Sequence, residues 1–345
     1  MARRPRIEDV AQAAGVSVAT VDRVLNGRAV VRAETAQRVS EAAVAIGYHG
    51  AAAIRARVMA HVPEYTLGVV LQKERHAFYQ DFAAALDHAA RLDTGRRWRI
   101  VLRFAPGQAP GDFAQAIAGL AGKVQAVAAT GIDHHEVTEA VTLLRHRGVP
   151  VFSLLSDFAQ GVREMYLGTN NLKTGRTAGW LMQRVAPRPG KLAVFIGGHR
   201  FHGHDLRETG FRSYFREYAP GFEFLETMIN LETRTLTYEA TLDLIGRHPG
   251  LTGIYCAGGG MEGAIAAVRE AGQAGRLGLI VHELTPESRQ GLMEGTVSAL
   301  LATPLDVVAA DVLGVIARTL DQGPADNPGQ RFVMAQIITP EGLTA

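Results

Sequence analysis

The sequence predicts an α/β protein in which a small all-α head precedes a two-lobed, doubly wound domain of parallel sheets. Two observations lead to this fold class. Apolar residues recur at helical spacing within residues 7–46, whereas from residue 66 short β-branched or apolar runs alternate with amphipathic helical stretches. The second part holds roughly 280 residues, which is too many for a single hydrophobic core, so two similar lobes are expected.

Three short helices are expected in the head, arranged as a helix-turn-helix with a third, buttressing helix. The first covers residues 7–14, with acidic residues in its first turn, and Gly15 ends it. Ser17 is a favourable N-cap for the second helix, which ends at Asn26, and the third runs from about residue 32 to 46. In this layout the second helix presents its N-terminal side chains to the major groove of DNA.

Strands and helices alternate through the body. Candidate strands are 67–72, 98–103, 124–129, 149–154, 191–197, 222–229, 252–257, 277–283 and 297–301. Candidate helices lie at about 77–92, 134–147, 171–185, 207–217, 235–247, 260–272 and 304–320. This alternation predicts parallel sheets covered by helices on both faces, with ligands bound beyond the carboxyl ends of the strands.

The charge distribution separates the head from the body. Residues 1–60 hold nine arginines and five acidic residues, a net charge of +4, although the whole chain carries only +2. A basic head on a slightly acidic body predicts a module that binds a polyanion. The alternative on charge alone is a solvated basic tail, but the helical pattern favours the binding module.

Composition narrows the class of protein further. A chain that is 47% hydrophobic and 20% charged is neither disordered nor fibrous, and no apolar run approaches the ~18 residues of a membrane span. Glu8 and Asp9 follow the basic start at once, so no signal peptide is expected. The single cysteine, Cys256, has no disulfide partner within the chain and is expected in the core. A soluble cytoplasmic protein is predicted.

Several segments of the head carry a specific pattern. They are Ile7-Glu8-Asp9-Val10-Ala11, Ala14-Gly15-Val16-Ser17 and Ala19-Thr20-Val21-Asp22-Arg23-Val24-Leu25-Asn26-Gly27, continued by Val31, Thr35, Val39, Ala42, Gly47 and Tyr48. This pattern resembles the DNA-binding head of the lactose-repressor (LacI/GalR) family. The resemblance implies a helix-turn-helix domain over residues 1–49 that binds double-stranded operator DNA.

The resemblance also assigns roles within the head. The residues implied to face base edges are Val18, Ala19 and Arg23, and those implied to contact the phosphate backbone are Arg6, Ser17, Thr20, Asn26 and Thr35. Arg23 can donate two hydrogen bonds to a guanine, and Ser17 is expected to cap its helix as well. Asp22 stands where the family often has serine, so it must face away from phosphates or pair with an arginine.

Residues 50–63 take the place of the family's hinge helix and linker. That helix wedges a leucine into the minor groove, and here Arg57 falls at the wedge position. Ile54 and Val58 are alternative wedges, and a hinge without a wedge is a third possibility. The alanines still favour a helix, and Arg57 is expected to contact DNA.

Residues from about 66 to 338 resemble the type I periplasmic sugar-binding fold, which the same family uses to bind effectors. The resemblance implies an effector-binding domain over residues 64–345. Its first lobe is expected at about 64–168 and 303–329, and its second at about 169–302 and 330–345.

The resemblance also implies a set of candidate effector-binding residues. They are His76, Phe78, Tyr79, Asp133, Ser156, Asp157, Arg207, Gly258, Glu283 and Thr303. Phe78 and Tyr79 offer flat faces for a sugar ring, Asp157 and Glu283 can accept hydroxyl hydrogen bonds, and Arg207 donates in a planar fork. Seven of the twelve histidines also fall at predicted strand ends, which suggests a polar or anionic effector.

Two further patterns suggest other chemistry. Gly258–Gly263 satisfies G-x-G-x-x-G after a strand, so a dinucleotide-binding sensor or an NAD-dependent enzyme is the alternative function. A histidine-rich stretch could bind metal and consists of His199, His202, His204 and Asp205. No hydrolase elbow, P-loop or zincin motif is present, so neither an enzyme, a cofactor nor a resident metal is predicted.

The predicted function is a sequence-specific transcription regulator, expected to be a repressor. One head covers only a half-site, so a homodimer or a tetramer on a pseudo-palindromic operator is expected. The expected effector is a small, carbohydrate-like molecule bound between the two lobes, which changes the affinity for DNA.

Overall fold

A computed structural model describes residues 4–26, 31–59 and 62–343. Gly27, expected together with Asn26 to end the second helix, and His61 of the expected linker lie outside the described residues. The chain divides into two compact units, one holding residues up to Thr66 with Asp87–Arg99 and the other holding the rest. None of the described helices is long and apolar enough to cross a membrane.

Four helices build the head: α1 (Ile7–Ala14), α2 (Val18–Asn26), α3 (Ala33–Ala45) and α4 (Ala51–Met59). The three helices expected within residues 7–46 are confirmed. Gly15 ends α1 in the left-handed conformation at φ 63°, where a glycine has no Cβ to clash. The apolar side chains on the inward faces form one core whose buried members include Val10, Ala11, Val21, Val24, Val39, Tyr48, Ile54 and Val58.

The body alternates strands and helices along the chain. Its first part contains β1 (Glu64–Gln72), α5 (Ala77–Leu92), β2 (Arg97–Ala105), α6 (Pro110–Ala118), β3 (Ala126–Ala129), α7 (His135–His146), β4 (Val151–Leu154) and β5 (Met165–Thr169). The next part contains α8 (Asn171–Val185), β6 (Lys191–Ile196), α9 (His202–Tyr218), β7 (Glu223–Phe224), β8 (Met228–Ile229), α10 (Arg234–Arg247), β9 (Leu251–Cys256), α11 (Met261–Glu270), β10 (Gly278–His282), α12 (Pro286–Met293) and β11 (Ala299–Ala302). The chain ends with α13 (Leu305–Gln322), β12 (Gly329–Val333), β13 (Gln336–Ile338) and a short 3₁₀ turn at Pro340–Gly342.

Two sheets organise these strands into two lobes. The first sheet has the order β12-β5-β4-β3-β1-β2, and the second has the order β13-β11-β10-β9-β6-β7, with β8 also pairing with β6. Pairing is parallel between the central strands, and β13 runs antiparallel to β11. Helices cover the second sheet on both faces, because the aromatic side chains of α9 and the aliphatic side chains of α11 belong to separate cores. The predicted doubly wound α/β class is therefore confirmed.

The last crossing between the sheets lies later than expected. Residues 330–345 were assigned to the second lobe, but β12 pairs in parallel with β5, from Gly329 opposite Met165 to Val333 opposite Thr169. Residues 330–333 therefore belong to the first sheet, and the chain returns to the second sheet only at β13.

Two local predictions were also wrong. A single strand over 222–229 is replaced by β7 and β8, which pair with opposite ends of β6. Between them the carbonyl of Leu225 accepts a hydrogen bond from Arg212 at 3.2 Å. The helix α6 was missed because its start resembles a loop. Pro110 occupies the first turn, where no amide donor is needed, and the Asp112 carboxylate accepts from the Ala109 amide at 3.1 Å.

Candidate functional site

One face of α2 is exposed. Val21 and Val24 point into the head core, whereas Val18, Ala19 and Arg23 are exposed, with Val18 at 41%. A helix that buries an apolar stripe on one side exposes its opposite side to solvent. The three residues expected to face base edges thus share one exposed surface.

The residues expected to contact phosphates are held in different ways. The Ser17 hydroxyl caps α2 by accepting from the Thr20 amide at 3.2 Å and lies 2.9 Å from the Thr20 hydroxyl. Asn26 donates its side-chain amide to Asp22 at 2.5 Å, so Asp22 pairs with an asparagine and not with an arginine. Thr35 is half-buried at the start of α3, and Arg6 is exposed before α1.

The hinge segment forms the helix α4. Its Arg57 is exposed, whereas Ile54 and Val58 are buried in the head core. In this conformation neither of the two alternative wedge residues is free to enter a groove. Arg57 remains available for phosphates.

A cleft of about 710 Å³, counted to its open mouth, lies beyond the carboxyl ends of the strands of both sheets. Seven of the ten predicted effector residues line it: His76, Phe78, Tyr79, Ser156, Arg207, Gly258 and Glu283. The sequence analysis did not assign seven other polar or aromatic lining residues to the effector site: Gln72, Lys73, Thr130, Phe201, His204, Glu232 and His282. His204 and His282 were noted as histidines near strand ends, and His204 also as part of the histidine-rich stretch.

Three predicted effector residues do not line the cleft. Asp157 forms a buried ion pair with Arg163, and each of its two carboxylate oxygens accepts a hydrogen bond from the guanidinium at 2.6 Å. Thr303 lies behind the cleft wall, where its amide and hydroxyl each donate to Glu283 at 2.8 Å. Asp133 is exposed outside the cleft. These three residues therefore stand apart from the cleft lining.

Arg207 is fixed in the cleft by neutral groups. Its Nε donates to the Asn171 side chain at 2.7 Å, and its Nη1 donates to the Ala257 carbonyl at 2.9 Å. Asn171 is itself held, because its amide nitrogen donates to the Leu155 carbonyl and the Tyr166 hydroxyl, both at 3.1 Å. Arg207 as a whole is 7% exposed, and these bonds fix the orientation of its guanidinium.

Glu232 joins the two lobes across the cleft. Its carboxylate accepts from Lys73 at 3.0 Å and from Gln108 at 2.7 Å, both in the first lobe, and from the Gly259 amide at 3.2 Å in its own lobe. Lys73 also donates to the Glu232 carbonyl at 2.8 Å. Both residues have a left-handed backbone conformation, with φ 50° for Lys73 and 51° for Glu232. This conformation costs about 1 kcal/mol for each residue, which the hydrogen bonds between Lys73 and Glu232 offset.

Burial sets the charge states of the cleft. Burial would raise the pKa of Glu232, but Lys73 and His204 outweigh it and lower that pKa to about 2. Burial lowers the pKa of His204 to about 4, aided by Arg207, and lowers the pKa of His282 well below its usual value. Burial raises the pKa of Glu283, although Arg207 opposes this. Near neutral pH both histidines are therefore uncharged.

Hydrogen bonding defines which polar atoms of the cleft stay free. The Gly197 amide donates to Nδ1 of His204 at 3.2 Å, so the proton of this neutral ring sits on Nε2. Gln72 donates to the Tyr79 hydroxyl, which leaves the hydroxyl proton of Tyr79 for another acceptor. His76 forms a hydrogen bond with Glu262 through Nε2 at 3.0 Å, while its buried Nδ1 has no hydrogen-bond partner among the residues that the structure describes.

The glycine run 258–263 is explained by packing. A Cβ on Gly258 would lie 2.4 Å from the His204 ring, and one on Gly263 would lie 2.1 Å from the Arg234 carbonyl. Gly260 adopts φ 85°. The glycines let α11 approach α10 and the cleft loops closely, which accounts for the motif without a dinucleotide.

The histidine-rich stretch does not converge on one point. His199 pairs with Asp205 at 3.2 Å at the surface, whereas His204 lies in the cleft wall. Within the described ranges, the group that could hold a metal is a different one, formed by His134, His135 and Glu136.

Comparisons with known proteins agree with both parts of the chain. Residues 6–50 match the model of bacterial regulatory proteins of the lacI family, and residues 67–323 match the periplasmic binding protein domain. The HTH-type transcriptional regulator GalS of Salmonella typhimurium is 41% identical over 85 residues, 25% of this chain and 24% of that protein. Catabolite control protein A of Staphylococcus aureus is 37% identical over 86 residues, 25% of this chain and 26% of that protein. The chain thus spans about a quarter of the length of these relatives.

Solved structures share the fold of the body. An ABC transporter solute binding protein from Burkholderia graminis, in complex with D-arabinose, has a TM-score of 0.73 at 19% identity and covers 81% of this chain and 97% of its own. GanP, a glucose-galactose binding protein from Geobacillus stearothermophilus, has a TM-score of 0.73 at 18% identity, and the match covers 82% of this chain and 99% of GanP. The chain belongs to the periplasmic binding protein domain family and carries at its N-terminus a head of the lacI family of bacterial regulatory proteins.

Proposed function

We propose that the protein is a transcription regulator that binds operator DNA through its head and a small, carbohydrate-like ligand in its cleft. The observation that carries the proposal is the pairing, in one chain, of a lacI-family head whose α2 exposes Arg23 with a two-lobed domain that encloses a polar cleft. A repressor is the favoured form, since such a head occupies DNA directly.

The exposed face of α2 supplies the recognition surface. Arg23 donates a planar fork that suits guanine in the major groove, and Val18 and Ala19 offer apolar contact to a thymine methyl. Arg6 and Arg57 are exposed at the two ends of the head and supply charge for phosphates. A single head covers one half-site, so the chain acts as a homodimer or a tetramer on a two-fold operator.

Ligand and DNA are coupled through the arrangement of the lobes. Residues that hold the lobes together, Lys73 and Glu232, lie in the cleft wall. A ligand that bonds to both lobes favours one arrangement of the lobes. By linkage, the ligand changes the affinity for DNA by the same factor by which bound DNA changes the affinity for the ligand. Phe78 offers a flat face for the apolar side of a sugar ring.

The test uses a duplex selected from a randomised pool by the full chain. Arg23→Ala is expected to weaken binding to the selected duplex by about 1–3 kcal/mol and to relax the preference at one base pair. Arg6→Ala, the matched control, is expected to weaken selected and random duplexes alike. Equal losses on selected and random DNA for Arg23→Ala would remove its base-reading role. Failure of the full chain to enrich any duplex would refute the proposed function.

A further inference from the structure

Three consecutive residues at the start of α7 bring metal-binding side chains together. His134, His135 and Glu136 each offer one nitrogen or oxygen atom, and these three atoms all lie within 4.8 Å of one another. The imidazole rings of His134 and His135 are 4.1 Å apart between their centres and tilted by 39°. Nδ1 of His134 lies 3.6 Å from a carboxylate oxygen of Glu136. The three side chains thus share one small volume, outside the cleft lining.

The backbone and a neighbouring helix hold this arrangement. His134 is the N-cap of α7, with an extended backbone at φ −158° and ψ 148°. Its carbonyl accepts a hydrogen bond from the Thr138 amide at 3.0 Å and another from the Thr138 hydroxyl at 3.2 Å. A Cβ on Gly111 would lie 3.4 Å from Oε2 of Glu136, so the carboxylate lies against the first turn of α6. The side chains of His134 and Glu136 are therefore held close together before any ion arrives.

The distances suit a small divalent transition-metal ion. Zn²⁺ binds histidine nitrogen and carboxylate oxygen at about 2.0–2.2 Å, so the donor atoms of a tetrahedral site are about 3.3–3.5 Å apart. The separation of His134 and Glu136 is close to this value, and rotation of the exposed His135 side chain can close the remaining gap. Three protein ligands leave the fourth position for water. Imidazole donors favour zinc, nickel or copper over magnesium and calcium.

Binding of an ion gives up little that stabilises the folded chain. The hydrogen bond that Nδ1 of His134 accepts from the Glu136 amide is long, at 3.4 Å, and therefore weak. The side chains of His134 and Glu136 are 18% and 45% exposed, so water already reaches the donor atoms. The start of a helix disfavours a cation, but residues 133–144 hold three acidic residues and no lysine or arginine. The local negative charge offsets the helix dipole.

We propose that His134, His135 and Glu136 form a binding site for a divalent transition-metal ion of the zinc class, with water completing the coordination. This site is separate from the proposed DNA and effector sites and does not depend on them. It lies near the cleft, because the same strand end supplies Gly131 to the cleft wall. The Asp133 amide also donates to the Arg200 carbonyl of the second lobe at 2.8 Å. A bound ion therefore stabilises the segment that joins the cleft wall to α7.

Zinc alone serves as the probe of this site. The untagged full chain is stripped with a chelator, dialysed and titrated calorimetrically with zinc chloride at neutral pH, without DNA. We expect one ion to bind at this site with micromolar affinity and to raise the melting temperature. A large excess of magnesium chloride should not displace the zinc, since imidazole is a poor ligand for magnesium. Absence of saturable zinc binding, or displacement of the zinc by magnesium, would overturn the proposal.

Variants assign the bound zinc to these residues. His135→Gln and Glu136→Gln are each expected to weaken zinc binding by at least about 10-fold, equivalent to about 1.4 kcal/mol. His146→Gln, at the other end of the same helix, is the matched control, and His199→Gln tests the histidine-rich stretch instead. Both should bind zinc as the parent chain does, and circular dichroism checks that every variant is folded. Zinc affinity that survives His135→Gln and Glu136→Gln, or that is lost in His199→Gln, would exclude the proposed site.

Discussion

Removal of Lys73 should expose the cost of leaving Glu232 buried without its cation. Glu232 has a side chain 6% exposed, and the side chain of Lys73 is 25% exposed. Breaking a fully buried pair costs about 3–5 kcal/mol. Gln108 and the Gly259 amide still donate to Glu232 after the change. For Lys73→Met we therefore expect a smaller loss of unfolding free energy, about 2–3 kcal/mol.

A double-mutant cycle isolates the charge interaction. Glu232→Gln leaves Lys73 free to turn towards solvent, so its cost should be near that of one or two hydrogen bonds, about 1–2 kcal/mol. In the double variant no buried charge is left unpaired, and its loss should fall short of the sum of the single losses by about 1–2 kcal/mol. The assay is urea unfolding and calorimetry of the full chain, following the transition of the two-lobed part.

The pH dependence provides an independent check of the same pair. The folded pKa of Glu232, about 2, lies below its usual value of 4.5, so its contribution to stability is present above pH 4.5. That contribution is lost as the pH falls from 4.5 towards 2, and the loss should shrink in Lys73→Met. Additive single losses within about 0.5 kcal/mol, together with an unchanged acid limb, would refute the reasoning.

Two further predictions concern the cleft wall and the helix contact behind it. His204 has a folded pKa of about 4, so between pH 6.5 and 4 the unfolded chain binds a proton that the folded chain does not. Stability should fall across that window by roughly 3 kcal/mol, and His204→Asn should remove this part of the slope in melting temperatures measured against pH. Gly210→Ala would place a Cβ 2.1 Å from the Leu172 carbonyl and should cost about 3 kcal/mol in urea unfolding. Gly246 is an exposed helical glycine with open space around the position of a Cβ, so Gly246→Ala is the control for Gly210→Ala and should be neutral or slightly stabilising. Equal changes in unfolding free energy for the two variants would contradict the packing argument.

Local patterns were enough to predict the three helices α1 to α3 and most of the sheet strands. The apolar spacing that predicts α1 to α3 is the spacing of the buried residues in the head core, because a short helix must bury one face. The alternation of β-branched runs and amphipathic stretches predicted both sheets for the same reason. β7 and β8 were predicted as one strand, and β5, β12 and β13 were missed, since strands of so few residues carry little period of their own.

The cleft was predicted in part. Glu283 directly follows β10, and Tyr79 and Arg207 lie on the helices that follow β1 and β6; all three line the wall, because parallel strands bring their carboxyl ends to one edge. Asp157 does not line the wall, and nothing in its sequence neighbourhood shows that Arg163 donates to both of its oxygens. The sequence indicates which residues reach the edge, but not which of them are already paired there.

The two-part organisation, the helix α2 and most of the strands that carry the cleft can be predicted from patterns among residues close in the chain. The electrostatics of the cleft cannot, because they depend on residues far apart in the chain. Lys73 and Glu232 are 159 positions apart and meet only where the two lobes face each other. Arg207 is likewise oriented by Asn171 and Ala257, 36 and 50 positions away, which bind it through neutral atoms. Pairing over such distances depends on how the chain crosses between sheets, which no local pattern encodes.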